Sequence, residues 1–112
     1  MARILAGIPD LFFRSKVLET AKALSVDLDV ARDADELIRK LREEKPLLVL
    51  LDLQAEALRP LETLRSLDGV PVVGFLAHER TELREAAAAT GCEVLTKGQF
   101  ASMLPGILGR VL

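Results

Sequence analysis

Two uninterrupted apolar runs, LLVLL (47–51) and VPVVGFL (70–76), constrain the fold of this chain more than any other feature. A strand with one wet face alternates apolar and polar residues. A run without alternation is covered on both faces, as central strands of a parallel sheet are. Around these runs lie amphipathic segments with helical period. RILAG (3–7) predicts a first strand. Asp10 then caps a helix over 11–25, with Phe13, Val17, Ala21 and Leu24 on one stripe. VDLDVA (26–31) alternates strictly, with Val26, Leu28 and Val30 on one side and Asp27 and Asp29 on the other. That predicts a half-exposed strand whose acids protect a sheet edge.

Asp33 caps the next helix. Asp35 and Glu36 in its first turn and Arg39, Lys40 and Arg42 further on suit the helix dipole, Leu37, Ile38 and Leu41 form its stripe, and Pro46 stops it. Pro60 opens a third helix, with Leu61, Leu64 and Leu67 inward and Gly69 at its end. RTELREAAAAT (80–90) is a fourth, closed by Gly91. EVLT (93–96) is a short fifth strand, and a last helix covers Phe100 to Val111. Short connections imply parallel strands with right-handed crossovers. The alternating second strand belongs at an edge, which gives the order 2-1-3-4-5. The expected class is α/β: one doubly wound, flavodoxin-like sheet of five parallel strands with five helices, forming a single domain over 1–112.

Composition excludes several functions. A net charge of −2 leaves no basic footprint, so direct nucleic-acid binding is not expected. Cys92 is the only cysteine, which rules out an internal disulfide and a cysteine metal site and suits a reducing cytoplasm. The apolar runs are too short to span a bilayer, and MARILAGIPD lacks the apolar core of a signal peptide. The chain has no asparagine and more arginine than lysine, a bias in keeping with a thermophile. No Walker or G-x-G-x-x-G motif supports nucleotide binding.

The segment DVARDADELIRKLREEKPLLVLLDLQ resembles the middle of a response-regulator receiver domain. VPVVGFLAHE looks like the receiver's fourth strand, and ATGCEVLTKG like its fifth with the strand-end lysine, here Lys97. The resemblance covers nearly the whole chain. It implies the receiver architecture and that family's chemistry. An aspartate ending the third strand accepts a phosphoryl group. An acidic pair after the first strand holds Mg²⁺, a Ser or Thr ends the fourth strand, and a Lys ends the fifth. Asp52 and Lys97 occupy the acceptor and lysine positions.

The other positions depart from the pattern. AGIPD puts Ile8 and Pro9 where the acids belong, with Asp10 one place late. Leu76 stands at the hydroxyl position, with Ala77 after it. Val94 replaces the usual aromatic switch residue, Gly98 the proline after the lysine, and QAEALRP the methionine-proline loop. Without the acid pair, an incoming phosphate meets Asp52 as a like charge. Two unit charges about 4 Å apart cost on the order of 4 kcal/mol at an effective dielectric of roughly 20. The expected function is therefore that of a stand-alone pseudo-receiver in signal transduction. It would act through protein contacts or dimerisation, with no enzymatic activity and no cofactor. The alternative is a working receiver phosphorylated on Asp52, with Lys97 as its cation and Mg²⁺ held by Asp10 and Asp52. In the first reading Asp52 pairs with Lys97 across the strand tips and Asp10 caps the first helix.

His78 is expected as a solvated loop residue and Cys92 as a packed one. In the last helix, Phe100, Leu104, Ile107 and Val111 form the stripe facing the sheet. Met103, Leu108 and Leu112 fall off it, which predicts a partner surface. In receivers the face of the fourth helix, fifth strand and fifth helix is the usual contact surface. The expected partner is another signalling protein or a second copy of this chain, in the cytoplasm, away from membranes.

Overall fold

Five strands and five helices alternate along residues 3–112, the part of the chain that the computed structural model describes; the opening Met1 and Ala2 lie outside it. The elements are β1 (Ile4–Gly7), α1 (Leu11–Ala23), β2 (Leu28–Ala31), α2 (Ala34–Glu43), β3 (Leu48–Asp52), α3 (Pro60–Ser66), β4 (Val72–Leu76), α4 (Thr81–Ala88), β5 (Glu93–Thr96) and α5 (Lys97–Gly109). The strands form one parallel sheet in the order β2-β1-β3-β4-β5, the expected topology.

The two-residue period of each strand sorts its side chains onto opposite faces. Ile4, Ala6, Leu48, Leu50, Val73 and Phe75 join the core under α1 and α5. Leu5, Val49, Leu51, Val72 and Leu76 join the core under α2, α3 and α4. This is why LLVLL shows no alternation: both its faces are covered. The edge strand β2 is only half-buried. Its Asp29 is answered by Lys40 of α2 at 3.0 Å, and the same ammonium donates to the Val30 carbonyl at 2.7 Å.

Local signals set most boundaries. Asp10 and Asp33 cap α1 and α2, accepting the N–H groups of Phe12 and Glu36. Pro60 is the first residue of α3, and Gly91 after α4 has φ 92°, a conformation that side chains with a Cβ avoid. Between β3 and α3 a 3₁₀ turn over Glu56–Leu58, absent from the expectations, drives Leu58 fully into the core.

α5 departs from expectation twice. It begins at Lys97, three residues early, because Thr96 and Gln99 form a reciprocal capping box directly after β5. It also buries a wider stripe than expected. Leu108 is completely buried, packed with Phe100, Leu104 and Ile107, and is not a surface residue. It follows Leu104 by four residues and so lies on the same side. α5 packs on α1 as well as on β4 and β5, which widens the covered arc. Met103 (43% exposed) and Leu112 (76%) do reach the surface.

Candidate functional site

Asp52 is the last residue of β3 and shares the side of Leu48 and Leu50, the side of α1 and α5. It is the one buried carboxylate among the described residues, 8% exposed. Its Oδ1 accepts the Gln54 backbone N–H at 3.0 Å. Gln54 then reaches across to the end of β4, where its Oε1 accepts the Ala77 N–H at 2.6 Å. One residue therefore touches the carboxylate with its backbone and the neighbouring strand end with its side chain.

Leu53 steadies this turn from the opposite face. A Cβ at Gly74 of β4 would lie 2.8 Å from Leu53 side-chain carbons, so the glycine is what lets Leu53 lie against that strand. The turn that carries Gln54 thus depends on a bare position one strand away.

Two of the positions before α1, Ile8 and Pro9, are apolar. Ile8 is completely buried in the core under α1 and α5, and Pro9 follows it. Arg14 ties the loop down, its Nη1 accepted by the carbonyls of Pro9 at 3.0 Å and Ile8 at 3.5 Å. Asp10 is exposed and its Oδ1 accepts the Phe12 N–H at 3.2 Å, the capping role expected of it. At the end of β4, Leu76 is completely buried. Among the described residues no three His, Cys, Asp or Glu side chains gather into a group able to hold a metal ion. Ile8 and Pro9 offer no side-chain oxygen to Mg²⁺, a hard cation held by carboxylates and waters, and the Asp10 carboxylate is turned to the Phe12 N–H.

The expected pairing of Asp52 with Lys97 is not formed. Among the described residues no ion pair joins them, and Lys97 is exposed as the first residue of α5. The capping box starts α5 directly after β5, and Lys97, its first residue, lies in solvent. Lys97 still acts on Asp52 through space. Burial is the largest influence and raises the Asp52 carboxyl above the ordinary aspartate range. The Gln54 N–H and the Lys97 charge pull it down, and Asp10 pushes it up.

This fixes the sign of a pH effect. A carboxyl that binds its proton more tightly folded than unfolded stabilises the fold at low pH. That contribution is lost as pH rises from the ordinary aspartate value through the raised one. At neutral pH the buried charge opposes folding. Asp52→Asn keeps an acceptor for Gln54 and is expected to add about 1 kcal/mol at pH 7. That is about 4 °C in melting temperature. The gain should shrink as pH falls towards about 4, because the raised carboxyl takes up its proton before an ordinary aspartate does. Melts of both proteins at the two pH values check this; a loss at pH 7, or an equal gain at both, contradicts it.

Other singled-out residues lie apart from this site. His78 is exposed beside Glu79, 3.3 Å away. Cys92 is buried and its thiol is pushed up to about 11 by that burial, far from thiolate reactivity at neutral pH. Gln54 escaped the sequence reading because no periodicity marks a side chain that bridges two loops. Leu11 (59% exposed) and Phe12 (84%) at the start of α1 also escaped it. The test applied to the last helix would have found them, since both fall off the Phe13–Val17–Ala21 stripe.

No protein-family model matches the sequence, and no curated protein matches it. Solved structures do match in shape. NtrX from Brucella abortus aligns over 100% of this chain at 25% identity with a TM-score of 0.83; this chain spans 27% of that one. The receiver domain of NtrX taken alone aligns at 24% identity over 97% of both chains, TM-score 0.83. The chemotaxis response regulator CheY4 of Vibrio cholerae aligns at 20% identity over 100% of this chain and 99% of its own, TM-score 0.84. The sheet order, the helix arrangement and these matches together give the chain the CheY-like receiver fold, with Asp52 and Lys97 at the ends of its third and fifth strands.

Proposed function

We propose that this chain is a pseudo-receiver, a signalling module that works by contact with another protein or a second copy of itself and not by Mg²⁺-dependent phosphorylation of Asp52. The observation that carries the reading is the closure at the end of β3 and β4. Gln54 covers Asp52 with its N–H and occupies the Ala77 N–H with its Oε1. Phosphoryl transfer is mainly positioning and charge neutralisation around the transferred group. Here the nearest donors are already taken, Ile8 and Pro9 are apolar, and among the described residues Lys97 is the one cation acting on the carboxylate. Leu76 supplies no hydroxyl. Contact through the α4–β5–α5 face rests on Met103 and Leu112, without Leu108, and the module needs no cofactor and catalyses nothing.

The second reading, a working phosphoacceptor, draws on one fact: Asp10 is close enough for its charge to raise the Asp52 carboxyl. Acetyl phosphate with Mg²⁺, followed by intact mass, separates the two. The expected spectrum shows no phosphoryl addition in wild type. Mg²⁺-dependent addition of one phosphoryl group, abolished by Asp52→Asn, would overturn the pseudo-receiver reading.

A further inference from the structure

The contacts of Gln54 lead away from Asp52, towards α4. Ala77, held by the Gln54 Oε1, offers its own carbonyl to the Arg80 N–H at 3.1 Å, and the Glu79 carbonyl accepts the Thr81 N–H at 3.0 Å. These two bonds form the turn from which α4 starts. α4 is poorly equipped to start by itself. It has only eight residues, its N-cap is Arg80, and no side chain caps it. A helix that short is marginal alone, and its first N–H groups need partners from outside. The same segment lines an open cleft of about 630 Å³, bounded by Leu61 of α3 and by Glu79, Arg80, Thr81, Leu83 and Ala86.

We infer that Gln54 is a latch: it holds residues 77–80 and the first turn of α4 in place, and its release opens the α3–α4 cleft. Its backbone is pinned by Asp52, which keeps the side chain within reach of Ala77. With the Oε1 in place, Ala77 is fixed, its carbonyl is set for Arg80, and α4 begins at Thr81. With the Oε1 withdrawn, Ala77 loses its partner and the turn loses its anchor. The uncapped first turn of α4 then frays ahead of the rest of the fold. Any event that moves the end of β3 thereby reaches a cleft on the other side of the sheet. The latch rests on Asp52 being an unmodified carboxylate. No phosphoryl donor enters its test, so phosphoryl incorporation judges that reading separately.

The test is amide hydrogen exchange by NMR on the whole chain. It compares wild type, Gln54→Met, and Gln54→Met with Arg80→Asp. Methionine keeps the length of glutamine but has no carbonyl, and Gln54 is only half-buried, so the fold tolerates it. Aspartate at position 80 gives α4 the cap it lacks. In Gln54→Met, exchange at Ala77, Arg80 and Arg84 should rise at least tenfold, while Leu50 and Phe75 in the central strands stay unchanged. The added Arg80→Asp should return Arg84 to the wild-type rate and leave Ala77 fast. An equal rise at Leu50 and Phe75 would mean general destabilisation, and a rise at Ala77 alone would mean no coupling to α4. A rate at Arg84 that the new cap fails to restore would place the loosening elsewhere. Each of these three results overturns the latch.

Discussion

Leu108→Glu yields no folded domain, or one weakened by at least about 4 kcal/mol. Leu108 is completely buried among Phe100, Leu104 and Ile107, with no polar neighbour in that cluster. The substitution removes the burial of one leucine, worth about 2 kcal/mol. It also forces a carboxylate into an apolar site, where it stays charged at a high solvation cost or takes up a proton. A domain of this size holds roughly 5–15 kcal/mol in total, so the loss takes a large share of it. Met103→Glu, at a position 43% exposed on the same helix, should change stability by less than about 0.5 kcal/mol. Urea unfolding of both, followed by far-UV circular dichroism, measures the difference. A Leu108→Glu protein with the wild-type midpoint would mean that α5 is rotated so that Leu108 faces solvent. Met103, not Leu108, is thus the position at which a charge tests for a partner surface without unfolding the chain.

Phe100→Ala is expected to cost about 4 kcal/mol, or about 15 °C in melting temperature. Three aromatic rings meet under α1 and α5. Phe13 stacks on Phe75 with centroids 4.8 Å apart and planes 9° apart, Phe75 and Phe100 lie 4.6 Å apart, and Phe13 and Phe100 5.6 Å. These residues come from α1, β4 and α5, so the cluster joins the sheet to both helices on that side. Truncating Phe100 leaves a cavity and removes two ring contacts, each worth about 0.5–1.5 kcal/mol beyond burial. Phe12→Ala is the matched control. Its ring is 84% exposed and makes none of these contacts, so stability should hardly change. If Phe100→Ala melts within about 3 °C of wild type, the three rings do not hold α5 to the sheet in the way the distances imply.

How legible the fold was varies element by element. Pro60, Gly91 and the cap residues Asp10 and Asp33 each act within a few residues of themselves, so the ends they set were open to reading. The strand order followed from two facts about pattern: β2 alternates and β3 does not. The 3₁₀ turn at Glu56–Leu58 was not readable, because it forms where Leu58 finds the hole beside Gly7, between strands distant in sequence. The early start of α5 was half readable. Thr96 and Gln99 have the spacing of a capping box, yet EVLT followed by Lys97 reads as a strand running into a loop.

The site divides in the same way. Residue identity by itself put an aspartate at the end of the third strand, a lysine after the fifth, and Ile8, Pro9 and Leu76 where a phosphotransfer site needs oxygens. Period and spacing carry such facts, because hydrophobic alternation and caps act locally. The tertiary structure alone decided what surrounds that aspartate. Lys97 lies in solvent on the first turn of α5, Leu108 is claimed by the core because α5 also leans on α1, and the Ala77 N–H is taken by Gln54, 23 residues away in sequence. These outcomes depend on which surfaces meet across the sheet, and a one-dimensional pattern does not contain that.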